Sequence, residues 1–217
     1  MVARRFTVTE KIVITIARQY GSGGREIGEK VAAILGISTY DRELITMSVQ
    51  SENINPEVAA RADEVAANSL LYTLAVGSNV FGAAHHFGYT MPINDRLFVL
   101  QSDLIRKLAD KESCVIIGRC ADYVLRDRPH RLSVFVYGNI ADRKKRIAER
   151  HEVSESQALD LINKTDRRRA SYYNFYTGSK WGRYDNYHLA INSSLLGMDG
   201  TAAVIADCAR KMMANSN

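Results

Sequence analysis

Residues 11–35 have the sequence KIVITIARQYGSGGREIGEKVAAIL, and this stretch decides the fold. It begins with a β-branched apolar run from Ile12 to Ala17, which predicts a strand buried on both faces. A glycine-rich turn from Gly21 to Gly24 follows. The apolar residues then recur at helical spacing, at Ile27, Val31, Ile34 and Leu35. This order predicts a phosphate-binding loop, because glycines let backbone N–H groups approach phosphate oxygens and a helix N-terminus carries partial positive charge.

The loop departs from the usual P-loop pattern, in which a glycine and four further residues precede Gly-Lys-Ser/Thr. Gln19 stands where the first glycine belongs, Arg25 replaces the lysine, and Glu26 replaces the Ser or Thr. We therefore expect Arg25 to act as the phosphate-binding cation and Ser22 to supply a hydroxyl. If Arg25 is instead a structural residue, the alternative cations are Arg18, Arg143 and Arg146. The predicted nucleotide-binding residues of the loop are Gly21, Ser22, Gly23, Gly24, Arg25 and Glu26. The alternative is a tight turn between strand and helix that holds no ligand.

The composition suits one globular domain over residues 1–217, because 46% of the residues are hydrophobic and only 3 are prolines. No apolar run approaches the ~20 residues needed to cross a bilayer. No signal peptide is recognised after Met1. These observations predict a cytoplasmic protein with no membrane partner. Cys114, Cys120 and Cys208 lack metal-ligand spacing, so we predict no structural metal site.

The formal net charge of +5 is concentrated between Asp142 and Arg183, where 11 Lys and Arg accompany 6 Asp and Glu. Such a segment binds nucleic acid, clamps nucleotide phosphates or forms a solvated helix face. We favour phosphates, because a phosphate-binding loop is predicted elsewhere and arginine makes bidentate contacts with phosphate. The overlapping aromatic stretch Tyr172–Tyr187 is interpreted as packing of a lid or an oligomer interface, which leaves a homo-oligomer open.

Strand and helix signals alternate to the end of the chain and predict a parallel sheet with helices on both faces. The predicted strands are residues 12–17, 37–40, 115–117, 132–137 and 189–192. The predicted helices end at Gly36, span 41–50 and 57–75, begin at Asp95 and Asp142, and run from Ser154 to Tyr176 and from Thr201 to Met213. The inward face of the last helix is predicted to be Val204, Ile205, Cys208 and Met212. The adjacent His85 and His86 have no third ligand nearby and are interpreted as loop residues.

Residues 14–44 (ITIARQYGSGGREIGEKVAAILGISTYDREL), 116–123 (IIGRCADY) and 165–173 (TDRRRASYY) carry further motifs. Together they resemble the cytidylate kinase-like family, a branch of the P-loop nucleoside monophosphate kinases. The resemblance implies an α/β three-layer P-loop kinase fold, a five-stranded parallel sheet with helices on both faces and a helical lid. It also implies one nucleoside monophosphate kinase-like domain, with an acceptor-binding insertion at about residues 41–94 and a lid at about residues 154–187.

The resemblance implies an acceptor site built from a few polar residues. Asp41 and Arg119 match family positions beside the acceptor. Met47 stands where the family has an arginine, and Cys120 stands where it has an aspartate. Asp122, two residues later, is expected to replace that aspartate.

The resemblance also implies a donor site and a lid. Arg143 and Arg146 share a helix face and are expected to contact the donor nucleotide. Asp166 is expected near the acceptor, and Arg167 and Arg169 are expected to close over the donor phosphates. The predicted catalytic residues are Arg25, Arg167 and Arg169.

The activity implied by the resemblance is ATP-dependent phosphoryl transfer to a nucleoside monophosphate, with CMP or dCMP as first candidates and ATP and Mg²⁺ as cofactors. Positioning and charge neutralisation carry the rate of such a reaction, because the protein forms no covalent intermediate. The alternative is a weakly active or inactive nucleotide-binding regulatory protein, which the missing lysine, Ser/Thr and aspartate favour. A nucleic-acid binder that uses the basic segment is a third and weaker interpretation.

Overall fold

The computed structural model describes residues 11–41, 44 and 92–215. These residues form a five-stranded parallel sheet. The strands are β1 (Val13–Arg18), β2 (Ser38–Tyr40), β3 (Cys114–Ile117), β4 (Arg131–Tyr137) and β5 (Leu189–Asn192). Their order in the sheet is β2-β3-β1-β4-β5, so β1 is the central strand. The predicted five strands are all confirmed, with boundaries that differ by one residue at most from the apolar runs.

Helices cover both faces of the sheet. They are α1 (Gly24–Leu35), α2 (Ile93–Lys111), α3 (Ala121–Val124), α4 (Ile140–His151), α5 (Glu155–Thr177) and α6 (Ser193–Ala214), with a short 3₁₀ helix at Tyr184–Asn186. Alternate residues of β1 point to opposite faces. Ile14 and Ile16 belong to the core shared with α1 and α6, and Val13 belongs to the core shared with α2 and α3. The three-layer α/β fold predicted from the sequence is therefore confirmed.

Two helix ends follow the signals expected from the sequence. Gly36 has a φ of 67° and ends α1, where its N–H donates to carbonyls of the last turn. Ser154 begins α5 with a reciprocal capping box, in which its hydroxyl accepts from the Gln157 N–H and the Gln157 side chain accepts from the Ser154 N–H.

Three helix starts differ from the predictions. α4 begins at Ile140 and not at Asp142. α2 begins at Ile93, after Pro92, and not at Asp95. Proline suits a helix start because its φ is fixed and it lacks an N–H that the first turn would leave without a partner. α6 begins at Ser193 and not at Thr201, because Asn192 caps it directly after β5.

The buried face of α6 differs from the prediction at one residue. The helix bends at Gly197, which has a φ of 66°. Beyond the bend, Ala202, Ile205 and Ala209 are buried in the core. Val204 was predicted to face inward, but it is 40% exposed. Cys208 and Met212 pack against the same core, so three of the four predicted inward residues are confirmed and Val204 alone is wrong.

Several predictions fall on residues outside the described ones. They are the helices at 41–50 and 57–75, the residues His85 and His86, and most of the acceptor-binding insertion at 41–94. Within the described segments, no helix has both the length and the apolar character that crossing a bilayer requires.

The aromatic residues near the carboxyl end of α5 pack inside the fold. Tyr172 and Tyr173 are buried. Phe98 of α2 stacks on Tyr176 with ring centroids 4.2 Å apart. These contacts attach α5 to α2, so this part of the predicted lid is docked on the domain.

Candidate active site

The glycine loop connects the carboxyl end of β1 to α1. Gly21 and Gly23 have φ values of 80° and 79°, which glycine adopts without strain. Gly23 is the N-cap of α1, and no described side chain forms a capping hydrogen bond there. The first turn of a helix leaves N–H groups without an intrahelical acceptor. This geometry suits an anion at the start of α1.

Three successive carbonyl groups of the loop accept hydrogen bonds from side chains of α4 and α6. The donor–acceptor pairs, each 2.7 Å apart, are Arg143 Nε to Tyr20 O, Arg146 Nη1 to Gly21 O, and Ser193 Oγ to Ser22 O. The peptide bonds are trans, so each N–H points opposite to the preceding carbonyl. The Ser22 N–H turns back to the Gln19 oxygen at 3.3 Å. The N–H groups of Gly21 and Gly23 therefore point away from the supporting side chains, toward the side where a ligand would lie.

Asp166 completes this support from α5. Its Oδ1 accepts from the Tyr20 N–H at 2.7 Å, and its Oδ2 accepts from Arg143. Both polar groups of the Tyr20 backbone are thus held, one by an acid and one by an arginine. Sequence reasoning assigned Asp166 to the acceptor and Arg143 to the donor nucleotide. The structure places both side chains against the loop backbone.

The substitutes for the missing P-loop residues lie elsewhere than expected. Arg25 is 47% exposed, with its Nε 3.0 Å from Glu29 Oε1 and 3.4 Å from Asp41 Oδ2. The Ser22 hydroxyl is buried and donates to the Gln19 oxygen at 2.8 Å. Glu26 is exposed, and its carboxylate lies 3.9 Å from Lys30 Nζ. The structure therefore turns Arg25 toward β2 and the Ser22 hydroxyl toward the loop's own backbone.

A second group of basic residues gathers at the carboxyl ends of β1 and β3. Arg18, Arg119 and Arg169 line one small cavity of about 30 Å³, which is space for about two waters. Arg119 is only 4% exposed. Burial and then the charge of Arg18 lower the pKa of Arg119 to about 10, so the guanidinium stays charged at neutral pH. Asp41 Oδ1 lies 3.8 Å from Arg18 Nη2 and offsets part of this charge.

The turn that carries Arg119 has an unusual backbone. Gly118, Arg119 and Cys120 have φ values of 77°, 58° and 53°. The left-handed region costs a residue with a side chain roughly 1–2 kcal/mol. Strain of this kind persists where the surrounding structure maintains it, and it clusters at ligand sites. Here the strained turn places the Arg119 side chain at the carboxyl ends of the strands, where open α/β sheets bind their ligands.

Asp122 lines the same cavity and also attaches α5 to it. The Tyr173 hydroxyl donates to Asp122 Oδ2 at 2.7 Å. Burial raises the pKa of Asp122, although the hydrogen bond from Tyr173 acts in the opposite direction. Sequence reasoning named Asp122 as a replacement for the missing aspartate. The structure brings it beside Arg119, with Tyr173 as a partner that was not foreseen.

The two predicted lid arginines differ in position. Arg167 is exposed. Arg169 is half-buried, donates from Nη1 to the Arg18 oxygen at 3.1 Å, and lies 5.6 Å from the centre of the Tyr20 ring. Only Arg169 therefore joins the arginine cavity. The hydrogen bond to residue 18 fixes α5 against the beginning of the loop.

Sequence reasoning named Arg18 only as an alternative phosphate-binding cation, and it did not assign Ser193 to the site. Arg18 is the last residue of the central strand and therefore lies at the ligand-binding edge of the sheet. Ser193 had no comparable signal. It lies in the first turn of α6, and its contact with Ser22 joins residues 171 positions apart.

Comparisons with known proteins bear on the fold and the family. A solved structure of an uncharacterized protein from Eubacterium ventriosum is 28% identical and has a TM-score of 0.67, covering 92% of this chain and 99% of that chain. A shikimate kinase from Bacteroides thetaiotaomicron is 11% identical and has a TM-score of 0.50, covering 93% and 98%. At that identity the likeness concerns the fold alone. No match was found among curated proteins.

A model of the cytidylate kinase-like family matches residues 13–195, which include the glycine loop, the Gly118–Cys120 turn and the arginines of α4 and α5. The parallel sheet and the loop after its central strand give the chain the fold of the P-loop kinases. The match supports the broad class of nucleotide or small-molecule kinases. The chain belongs to the cytidylate kinase-like family.

Proposed function

We propose that the protein transfers the γ-phosphoryl group of ATP to a nucleoside monophosphate, with CMP or dCMP as the preferred acceptor. The observation that carries this proposal is the adjacency of two anion-binding features. The Gly21 and Gly23 N–H groups follow the end of β1 directly, and Arg18, the last residue of β1, lines the arginine cavity. A donor triphosphate on the loop and an acceptor phosphate at the cavity would lie side by side.

The reaction on this geometry needs no covalent intermediate on the protein. An oxygen of the acceptor phosphate attacks the γ-phosphorus of ATP. The bond from that phosphorus to the β–γ bridging oxygen breaks, and the electron pair leaves with ADP. The loop N–H groups and the arginines neutralise charge on the oxygens during transfer. The barrier is lowered by holding donor and acceptor in line.

The loop fits nucleotide phosphates, because the Gly21 and Gly23 N–H groups point away from the supporting side chains and no described side chain caps α1. The same loop supplies no side-chain ligand for magnesium. The Ser22 hydroxyl is buried and bonded to Gln19, and the residues at 11–41, 44 and 92–215 contain no cluster of three potential metal ligands. The protein's contribution to the proposed reaction is therefore assigned to its N–H groups and arginines.

The acceptor side of the proposal uses Asp41, Arg119 and Asp122. The cavity beside Arg119 holds about 30 Å³, so it suits one small charged group and not a whole nucleoside. We place the acceptor phosphate there and the base toward the proposed insertion at residues 41–94. The segment at residues 154–187 is the proposed lid. All three cysteines are free thiols, which agrees with the proposed cytoplasmic location.

A regulatory protein that binds nucleotide without transferring phosphate is the second candidate. It is favoured by the position of Arg25, whose Nε lies 3.0 Å from Glu29 and 3.4 Å from Asp41. A phosphate-binding cation directed toward β2 leaves the loop without the usual lysine function.

One experiment separates the two functions. ATP binding is measured by calorimetry, and ADP formation is measured with CMP, dCMP, UMP, AMP and GMP as acceptors in turn. We expect ATP binding together with acceptor-dependent ADP formation that is highest with CMP or dCMP. ATP binding without transfer to any acceptor would support the regulatory protein, and absence of ATP binding would contradict both functions.

A further inference from the structure

Arg18 follows a path that two glycines make possible. A Cβ placed on Gly24 would lie 2.5 Å from Arg18 Cβ, and a Cβ placed on Gly118 would lie 2.2 Å from Arg18 Nη1. The stem of Arg18 thus crosses the start of α1, and its guanidinium lies on the turn after β3. Only 12% of the side-chain surface is exposed. A side chain at either glycine would displace this arginine.

Three other basic residues near the loop lie outside the cavity that holds Arg119, whereas Arg169 lines it from α5. Arg143 and Arg146 donate to loop carbonyls. Arg25 contacts Glu29 and Asp41. Arg18 also has an acid nearby, because Asp41 Oδ1 is 3.8 Å from its Nη2, but it alone of these four lines the cavity that holds Arg119.

Arg18 adjoins both halves of the proposed site, the glycine loop for the donor and the cavity for the acceptor phosphate. It directly precedes the glycine loop in sequence, and its guanidinium lies beside the cavity proposed for the acceptor phosphate. In-line transfer requires reacting atoms about 3–3.5 Å apart. The transferred phosphoryl group must therefore pass between loop and cavity, and the Arg18 side chain extends from the start of α1 to the cavity lining at Gly118.

We propose that Arg18 is the cation that contacts the transferred phosphoryl group, and that it performs the task of the lysine that the loop lacks. Arg18 forms and breaks no covalent bond; it neutralises charge on the γ-phosphate oxygens in the bound and transferring states. Arg25 contributes indirectly through Asp41, which lies between the two arginines. This inference rests on the proposed function, because it assumes a donor triphosphate on the loop.

The test compares Arg18→Met and Arg18→Lys with the wild-type full-length protein. Binding of ATP, ADP and AMP is measured by calorimetry, and kcat and KM by ADP formation. For Arg18→Met we expect ATP affinity to fall about tenfold or more, AMP affinity to change less than about threefold, and kcat to fall about 10²-fold. Arg18→Lys should recover part of kcat, because it restores the charge without the guanidinium geometry.

A matched control removes an arginine at the opposite edge of the sheet. Arg128 pairs with Asp110 and donates to the Ala109 oxygen, far from the loop in the fold. Arg128→Met should leave the ratio of ATP to AMP affinity and the kcat of the wild type unchanged.

The outcomes distinguish this inference from the proposed function. Wild-type protein that binds no ATP contradicts the proposed function and the inference with it. ATP binding by the wild type, with the same ATP to AMP affinity ratio in Arg18→Met, overturns the inference alone. If Arg18→Met does not fold, the wild type is treated with an arginine-directed dicarbonyl and analysed by mass spectrometry. Protection of Arg18 by ATP but not by AMP supports the inference, and equal protection by both overturns it.

Discussion

Two groups of arginines lie close to the glycine loop and have opposite surroundings. Arg143 and Arg146 of α4 donate to loop carbonyls at 2.7 Å. Arg18, at the end of β1, and Arg119, just after β3, line one cavity, in which burial and then the charge of Arg18 lower the pKa of Arg119. The first group has its hydrogen bonds satisfied by the loop it supports. We expect the second group to bind the acceptor phosphate of the proposed reaction.

The comparison shows that a basic residue near a phosphate loop has two distinct uses. Arginines bonded to carbonyls fix the direction of the backbone, and through the trans peptide they aim the N–H groups at the ligand. Arginines packed beside other arginines remain poised for an incoming charge. Arg169 combines the two arrangements, because it donates to the Arg18 backbone oxygen and also lines the cavity.

Of the variants that test this comparison, Arg119→Met should lose the most activity and separate the two groups most clearly. The buried guanidinium is proposed to hold the acceptor phosphate, so kcat/KM for the acceptor should fall roughly 10²-fold. The melting temperature should hold or rise, because methionine removes a buried charge that is expensive to desolvate. Steady-state assays and thermal melts test both expectations. Arg126→Met, which removes an exposed arginine stacked on Tyr123, is the control. Full activity of Arg119→Met would remove Arg119 from the acceptor site.

Asp166→Asn should differ from Arg119→Met, because it should lower the stability of the protein as well as its affinity for nucleotides. It removes the acid that holds both the Tyr20 N–H and Arg143, so we expect the free energy of unfolding to fall by about 2–3 kcal/mol. Affinities for ATP and ADP should fall together, because the whole loop loosens. Urea unfolding and calorimetry measure these effects. Asp103→Asn breaks an exposed pair with Arg106 and should change stability by less than about 0.5 kcal/mol. Equal stability of the two variants would contradict the supporting role of Asp166.

Gly23→Ala should have an intermediate effect that is partly structural. The φ of 79° costs alanine about 1 kcal/mol, and the new Cβ would lie 2.3 Å from Met198 Sδ, so the methionine must move. Gly36→Ala is a matched control. Gly36 also has a positive φ, of 67°, but a Cβ placed on it would have no atom of the described part of the chain within 4 Å. Both variants should lose similar stability in urea, whereas only Gly23→Ala should lose stabilisation by ATP in thermal melts. Loss of ATP stabilisation in both would mean that strain, and not the loop, accounts for the effect.

Ser193→Ala should produce the smallest change. It removes one hydroxyl that donates to the Ser22 oxygen, which is worth about 1 kcal/mol, and ATP affinity should fall less than about fivefold. Ser102→Ala removes a similar part-buried hydrogen bond, from Ser102 Oγ to the Phe98 oxygen within α2. Calorimetry should show weaker ATP binding only for Ser193→Ala. Unchanged affinity there would show that the Arg143 and Arg146 bonds suffice to orient the loop.

The fold could be predicted from the sequence because each of its strands coincides with a short apolar run. Val13 to Ile16 and Cys114 to Ile117 are buried on both faces, so their positions depended only on local composition. Gly36 and Ser154 likewise act through neighbours within a few residues. The start of α6 at Ser193 was missed because its cap, Asn192, is also the last residue of β5.

The site was harder to predict because its long side chains bond across the fold. The sequence indicated that Arg143 and Arg146 are basic and share a helix face, but not that their acceptors are carbonyls more than a hundred positions earlier. The same limit applies to Arg25, whose partners Glu29 and Asp41 lie on the side of β2. The arginines could be predicted to bind oxygen atoms that carry negative or partial negative charge. Whether that oxygen belongs to a phosphate or to a backbone carbonyl depended on the tertiary structure.

The central position of β1 has a consequence for synthesis of the chain on the ribosome. The first strand to be made pairs with β3 and β4, whose partner residues for Val13 are Cys114 and Arg131. Translation at roughly 5–20 residues per second separates these segments by about 5–20 s. During that interval the apolar run at Val13–Arg18 has no native strand to pair with. Ribosome-bound chains halted before residue 114 should therefore bind chaperones that recognise exposed apolar segments, and chains extended beyond β4 should begin to release them.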